Sequence, residues 1–462
     1  MASTVTKAPC LRSVWRKQHY ATAAAAPAVK SSYNKPSFQP VKASVLPNKV
    51  VVAGAESVSP VSRVSIIFRA GSRFENYDNL GCTHTLRIAA GLGTEHFTHF
   101  GIRRTIQQAG GNLTCTTGRE TITYTLEMTK DKIEDHLKIL EEVACRQQFK
   151  PWEVSDNLPR LKLELASRSP QVWAVELLHH AAFRKGLGNS VYCPKHMVGK
   201  HNPELLKHYV NGHFTGERAS VVGMGVDVPL LQNMASGLSL QSGGGSNSSE
   251  PSKFYSAEVR RYTSSPFAVV AVAGQAAGLK TGKDALAFAV LQRALGIGPL
   301  VKWGCGSQNN PLTQKVQAAD PNASASALSL SYSDVGLFGF ILAAPAESAG
   351  KAVEAGVQAL KAADSIGDAE LARGKAQLLS TLLMAFESGQ SMVEELGLQA
   401  ALFASRSGDS TLPMSAPSQV KAAIDGLSSA DVKAVAKKIA SGKLAMAAVG
   451  NLCEVPYLDQ LK

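Results

Sequence analysis

Alternation of apolar and polar positions marks the first regular segment. Val64, Ile66 and Phe68 fall at every second position, with Arg63, Ser65 and Arg69 on the alternate register, which predicts a strand over Arg63–Ala70. A helical pattern follows from about Leu80 to Leu92. Asn112–Thr116 and Thr121–Met128 alternate on either side of Thr117-Gly118-Arg119-Glu120, the pattern of a β-hairpin. Ile133, Leu137, Leu140 and Ala144 recur at helical spacing, predicting a long amphipathic helix over Asp131–Phe149 with Pro151 as its stop. Two further helices are expected around Pro159 and over Val172–Phe183, then a buried strand over Ala219–Met224.

The same order returns in the second half. Phe267–Ala273 reads as a strand and Lys283–Leu295 as a helix; Ser324–Tyr332 and Gly336–Ala343 form a hairpin around Ser333-Asp334. Ser348–Ala363 and Asp368–Glu387 read as helices, and Leu444–Val449 as a closing strand. Two echoes accompany the order. Ile106–Met128 with its following helix parallels Val316–Leu342 with its own, and Ser220-Val-Val-Gly-Met parallels Ala447-Ala-Val-Gly-Asn. The expectation is an α+β fold of two duplicated lobes, each a mixed sheet packed with helices. Gly243-Gly-Gly, five serines within Gln241–Ser252 and the lack of a large apolar residue there read as a flexible linker. The expected organisation is a leader over 1–35, a first lobe over 36–240, a linker over 241–255 and a second lobe over 256–462.

Composition narrows the function. Hydrophobic residues make up 45% and charged residues 18% of 462, the balance of an ordinary globular protein. No stretch approaches the ~18 uninterrupted apolar residues of a spanning helix. Eight of the twelve net positive charges lie in residues 1–50, which hold no Asp or Glu. The remaining 412 residues are therefore only mildly basic, which argues against nucleic-acid binding. Arg12 and Arg16 share a helical face while Leu11, Val14 and Trp15 lie toward the other, the pattern of a mitochondrial presequence. Seven scattered cysteines without a C-x-x-C pair exclude a disulfide framework or a zinc ribbon.

Candidate chemistry centres on His84-Thr-Leu-Arg87-Ile88. A helical H-x-x-E-H puts two imidazoles on one face to grip Zn²⁺, with the Glu as general base. Here Arg87 stands where the base belongs and cannot accept a proton, while Ile88 replaces the second imidazole with hydrocarbon. One histidine does not make a zinc site.

The runs Arg69-Ala-Gly-Ser-Arg-Phe-Glu-Asn, Asn79-Leu-Gly-Cys-Thr-His84-Thr-Leu-Arg87-Ile88, Ala109-Gly-Gly-Asn-Leu and Arg119-Glu resemble the pitrilysin-like inverzincins. Further matches lie at Leu178-His-His-Ala-Ala-Phe, Asn189-Ser-Val-Tyr-Cys-Pro, Leu295-Gly-Ile-Gly-Pro-Leu-Val-Lys and Ser331-Tyr-Ser-Asp-Val-Gly-Leu-Phe-Gly-Phe. Together they cover roughly residues 38–462 and are most similar to the mitochondrial processing peptidase and core-protein branch. The resemblance implies a LuxS/metallopeptidase-like architecture and a peripheral place on the matrix side of the mitochondrial inner membrane. It also implies partners from the ubiquinol–cytochrome c reductase: core protein 1, cytochrome b, cytochrome c1 and the Rieske protein. Presequence peptides are a further ligand class, as for the non-catalytic processing-peptidase subunit, and no cofactor is implied. The family's third metal ligand falls on Glu164 counting forward from the helix, or on Lys162 counting back from Leu178-His179. A Glu164 on an amphipathic helix reads as a solvated side chain.

Other features carry less. His179 and His180 are adjacent on a helix and point about 100° apart, so they cannot readily chelate together. His96 and His99 follow the helix-breaking Gly91-Leu-Gly93 and are expected in a loop. Gly296–Asn310 lacks the G-K-[ST] of a phosphate loop and reads as a packed interface loop.

Overall fold

The computed structural model describes residues 41–57, 59–240, 251–298, 310–403 and 417–461. The leader over 1–35, the Gly/Ser run 241–250 and most of the 296–310 loop lie outside the described residues.

The first half runs β1 (Lys42–Val45), β2 (Val51–Ala55), β3 (Val61–Phe68), α1 (Cys82–Ala89), α2 (His99–Gln108), β4 (Asn112–Thr117), β5 (Ile122–Thr129) and α3 (Ile133–Cys145). It continues with α4 (Pro151–Asp156), α5 (Leu158–Ala166), α6 (Pro170–Phe183), α7 (Pro203–His213), β6 (Ala219–Met224) and α8 (Val228–Gly237). The second half runs β7 (Glu258–Tyr262), β8 (Phe267–Ala277), α9 (Gly282–Leu295), α10 (Pro311–Ala319), β9 (Ser324–Ser331), β10 (Val335–Pro345) and α11 (Ala349–Lys361). Then come α12 (Asp368–Glu387), α13 (Gly389–Phe403), α14 (Pro417–Asp425), α15 (Ser429–Ala440) and β11 (Leu444–Gly450).

Strand order is β1-β2-β6-β3-β5-β4 in one sheet and β7-β11-β8-β10-β9 in the other. Apart from β1, the two orders superpose position for position. β2 pairs parallel with β6 as β7 does with β11, and the remaining equivalent pairs are antiparallel in both. The two Val-Gly echoes therefore mark equivalent strands, β6 and β11. The fold is two duplicated α+β lobes, as the pattern predicts.

Both faces of each sheet are buried, which explains the continuous apolar run of β8. Ala268, Val270 and Val272 face the helices of their own half, among them α9, α11 and α15. Val269, Ala271 and Ala273 face Ala174, Leu178, Ala181 and Ala182 of α6, a helix from the first half. The exchange is reciprocal: Met392, Val393, Leu396 and Ala400 of α13 cover Val51, Ala53, Ile67 and Val222 of the first sheet. Chain halves and packed layers thus do not coincide.

The long helix expected over Asp131–Phe149 ends at Cys145, because Gln147 leaves to bridge Thr94 and Phe149 takes φ +51°. Pro151 opens α4 rather than merely stopping α3. His99 lies in a helix, not a loop: Thr98 caps α2 by accepting from the Gly101 N–H at 3.1 Å.

Candidate functional site: a guanidinium in place of a metal

Helix α1 is aimed by the residues before it. Gly81, at φ +81°, packs so close to Cys193 that a Cβ would lie 2.4 Å from its Cα. Buried Glu75 accepts from the N–H groups of Gly81 and Thr83, each at 2.8 Å, and from the Thr83 hydroxyl at 2.7 Å. It thereby satisfies orphan donors of the first turn from outside the helix. Burial pushes the Glu75 carboxyl up to about 7 against the pull of these three hydrogen bonds. The folded chain therefore holds a proton that the unfolded chain releases near its ordinary value of 4.5. The Glu75 contribution is present below pH 4.5 and is lost as pH rises through about 7. Compared with Glu75→Gln, the wild-type chain is expected to lose stability across that window. Melting curves recorded below and above it check this, and identical pH responses would contradict it.

His84 is fully buried. Its Nδ1 accepts from the Cys193 N–H at 3.2 Å, so the ring proton sits on Nε2 and is donated to Glu164 Oε2 at 3.1 Å. Burial, outweighing the Glu164 bond, holds the imidazole below its usual pKa and so neutral at pH 7. The Arg87 guanidinium, one turn on, donates to the same Glu164 oxygen, and Arg160 Nε lies 3.6 Å from Oε1. Burial alone would raise the Glu164 carboxyl; the His84 bond and the Arg87 charge overcome this and hold it below the usual range. Ile88 is 3% exposed and packs with Leu161, Cys193 and Met197.

Glu164 is not a freely solvated side chain, contrary to the sequence expectation. The turn geometry of α5 directs it at α1, where a carboxylate meets both an imidazole and a guanidinium. Lys162, two residues earlier, is exposed. The donor set does not fit zinc: one neutral imidazole, one carboxylate already neutralised by arginine, and hydrocarbon at the i+4 position. Among the described residues no three His, Cys, Asp or Glu side chains converge as metal ligands.

Beside Arg87 opens a cleft of about 370 Å³ along the edge strand β4, floored by Gly111–Cys115. Arg87, Arg103 and Arg160 line it, and among the described residues no Asp or Glu does.

Of the other histidines that the sequence singles out, His96, His99 and His179 make structural contacts. His96 Nδ1 meets Glu142 at 2.8 Å, and His99 Nδ1 meets the Gly91 carbonyl at 2.8 Å. His179 donates from Nδ1 to the Val175 carbonyl at 2.7 Å and accepts at Nε2 from the Tyr332 hydroxyl at 2.6 Å, while His180 is exposed.

Sequence reasoning missed what joins the halves. Arg73 donates to Glu120 at 2.7 Å and, through both terminal nitrogens, to Asp334 at 2.8 and 2.6 Å. Ser333 of the second hairpin donates to Glu120 of the first from its N–H at 2.9 Å and its hydroxyl at 2.5 Å. Next to them Arg119 holds Glu176 at 2.5 Å, and Glu176 accepts from Ser190 Oγ at 2.8 Å. The signal was present: Arg69–Asn76, Arg119-Glu, Asn189–Pro194 and Ser331–Phe340 are the runs that carry the family resemblance, and all four converge here.

Residues 50–195 match the family described as "Insulinase (Peptidase family M16)", and residues 200–378 match "Peptidase M16 inactive domain". The chain is 35% identical to "Cytochrome b-c1 complex subunit 2, mitochondrial" of Homo sapiens, over 92% of this chain and 93% of that protein. The chain belongs to peptidase family M16. Among other M16-like relatives, the probable mitochondrial-processing peptidase subunit alpha-1 of Arabidopsis thaliana is 27% identical, over 90% of this chain and 83% of that one. In fold, the chain matches one of "Complex III2 from Candida albicans, Inz-5 bound", with TM-score 0.77 and 19% identity, covering 91% of this chain and 99% of that one. Within the M16 frame, then, the helix that the inverzincin motif uses for metal carries an arginine–carboxylate pair instead.

Proposed function

We propose that the chain is a non-catalytic core subunit of the mitochondrial ubiquinol–cytochrome c reductase, contributing to assembly and stability of the complex. Its likeness to cytochrome b-c1 complex subunit 2 along nearly its whole length supports the reading, and one observation carries it. The Arg87 guanidinium occupies Glu164, the carboxylate that faces His84 where the family's third ligand falls. A group that is cationic at any working pH supplies no base and opposes a divalent ion. Electron transfer from ubiquinol to cytochrome c is then supported by holding partners in place, among them core protein 1, cytochrome b, cytochrome c1 and the Rieske protein. No described helix is long and apolar enough to cross a membrane, and the proposed placement is peripheral, on the matrix side, held by those subunits. Import by a cleaved presequence within residues 1–35 completes the reading.

A presequence-binding role in a soluble processing peptidase is disfavoured by charge. Presequences are cationic, and the cleft beside β4 is lined by three arginines against the single adjacent carboxylate of Glu164, which leaves it positive. The test is fractionation of detergent-solubilised mitochondria. The chain is expected to sediment with cytochromes b and c1; its recovery with a soluble matrix peptidase would refute the proposal.

A further inference from the structure

Tyr192, whose ring meets His84 in a T-shaped contact, borders a stack of rings and guanidinium groups. Arg168 Cζ lies 3.5 Å and Arg261 Cζ 3.6 Å from the centroid of the Trp173 ring. Two planar groups at that height would overlap on one face, so they flank the indole on opposite faces, at most about 7 Å apart by the sum of those distances. The other face of Arg168 meets Tyr192, at 4.7 Å. Trp173 is on α6, Arg261 on β7 and Arg168 in the turn between α5 and α6, so three separate elements build the stack.

Stacking uses the faces of a guanidinium and leaves its N–H edges unsatisfied. Arg168 donates from Nε to the Leu165 carbonyl at 3.1 Å; among the described residues no carboxylate bonds either arginine. The nearest acids are already committed. Glu176 is held by Arg119, Ser190 and the Val191 N–H, and Glu258 by Arg260 and the Leu458 N–H. Burial lowers the pKa of Arg168 against the raising influence of Tyr192 and of Glu176, and the charge of Arg261 lowers it further. An open, largely apolar depression of about 330 Å³ adjoins the stack, walled by Val172, Val175, Val191 and Tyr192 with Gln171 and the Arg119-paired Glu176.

Two uncommitted guanidinium groups around a Trp, next to an apolar hollow, match the composition of protein–protein hot spots, which are rich in Trp, Tyr and Arg. The depression is too open to enclose a small ligand, since small-molecule sites bury most of the ligand surface. We infer that the Arg168–Trp173–Arg261 stack is a docking site for an acidic segment of another subunit, whose Asp or Glu carboxylate takes the free guanidinium edges while a neighbouring apolar side chain fills the hollow. The inference rests on the proposed membership of a multisubunit complex and names the chemistry of one contact in it.

The test uses the intact complex, purified through cytochrome b from mitochondria in which this chain is wild type, R168Q/R261Q or R168K/R261K. Recovery of the wild-type chain is the control for complex membership, and its absence would refute that membership and not the site. Given recovery, R168Q/R261Q is expected to leave the complex roughly tenfold more readily as salt is raised, because a charged contact has been truncated. R168K/R261K is expected to restore most of the retention. In that variant a water-soluble carbodiimide is expected to join position 168 or 261 to an Asp or Glu of a different subunit. Equal retention of R168Q/R261Q and wild type across the salt series overturns the inference. So do cross-links confined to this chain.

Discussion

Replacing Arg73 by alanine is expected to lower the free energy of unfolding by about 3–5 kcal/mol, the cost of removing one partner from a buried ion cluster. The Arg73 side chain is 4% exposed, and it faces two carboxylates, Glu120 and Asp334, that are 14% and 19% exposed. Without the guanidinium those two charges are buried next to one another and retain only the Ser333 and Ser252 donors. Burial by itself would raise the Asp334 carboxyl, but the Arg73 bonds reverse this and hold it below its ordinary value. Its stabilising contribution is therefore present above that ordinary value and is lost as pH falls through the folded one. Denaturant unfolding of the isolated chain measures the loss. A second comparison separates charge from packing: adding Glu120→Gln and Asp334→Asn to Arg73→Ala is expected to recover part of the stability, because the uncompensated charges go. Recovery of none would assign the loss to the cavity left by the side chain.

Arg87→Glu with Ile88→His is expected to raise zinc binding at α1 well above that of the wild-type chain. His84 and Glu164 already face one another, and an imidazole at 88 would share the His84 face one turn along α1. Removing the guanidinium frees the Glu164 oxygen that it occupies. Metal analysis after dialysis is expected to find about one zinc per chain in the double variant. Ile88→His alone is expected to bind much more weakly, because Arg87 still neutralises the carboxylate. Equal zinc in wild-type and double-variant protein would contradict the reading of the site. Cleavage of an arginine-rich presequence is expected to remain at background in either, since Arg103 and Arg160 still line the cleft.

The strands and hairpins of this fold were legible because period-two alternation and turn residues are local signals. Thr117–Glu120 and Ser333-Asp334 mark both hairpins, and the paired Val-Gly strands reveal the duplication. What was not legible depends on distant partners. β1, β2 and β7 were passed over: Lys42–Ala55 has little alternation, β2 acquires its strand identity by pairing in parallel with β6, 169 residues away, and β7 by pairing in parallel with β11. α13 was likewise passed over, and its role is set by the sheet that it covers. At the site, His84, Arg87 and Ile88 follow from helical spacing alone. Glu164 could not be chosen over Lys162 from sequence, since the choice depends on how α4 and α5 break and restart around Asn157. The Arg168–Trp173–Arg261 stack was invisible for the same reason: its three members are aligned only once β7 lies alongside α6.

The exchanged helices also govern how the polypeptide acquires its structure. When residues up to about Gly237 have been made, α6 still lacks β8, β10 and β11, and the α13-facing side of the first sheet is bare. The first half therefore cannot finish folding alone, and its late contacts are long-range, the kind that close slowly and leave apolar surface open to aggregation in the interim. A polypeptide cut between Leu240 and Pro251 would yield two fragments that complete each other on mixing, not two independent domains. A newly made chain would accordingly need protection until its last strand, β11, is in place.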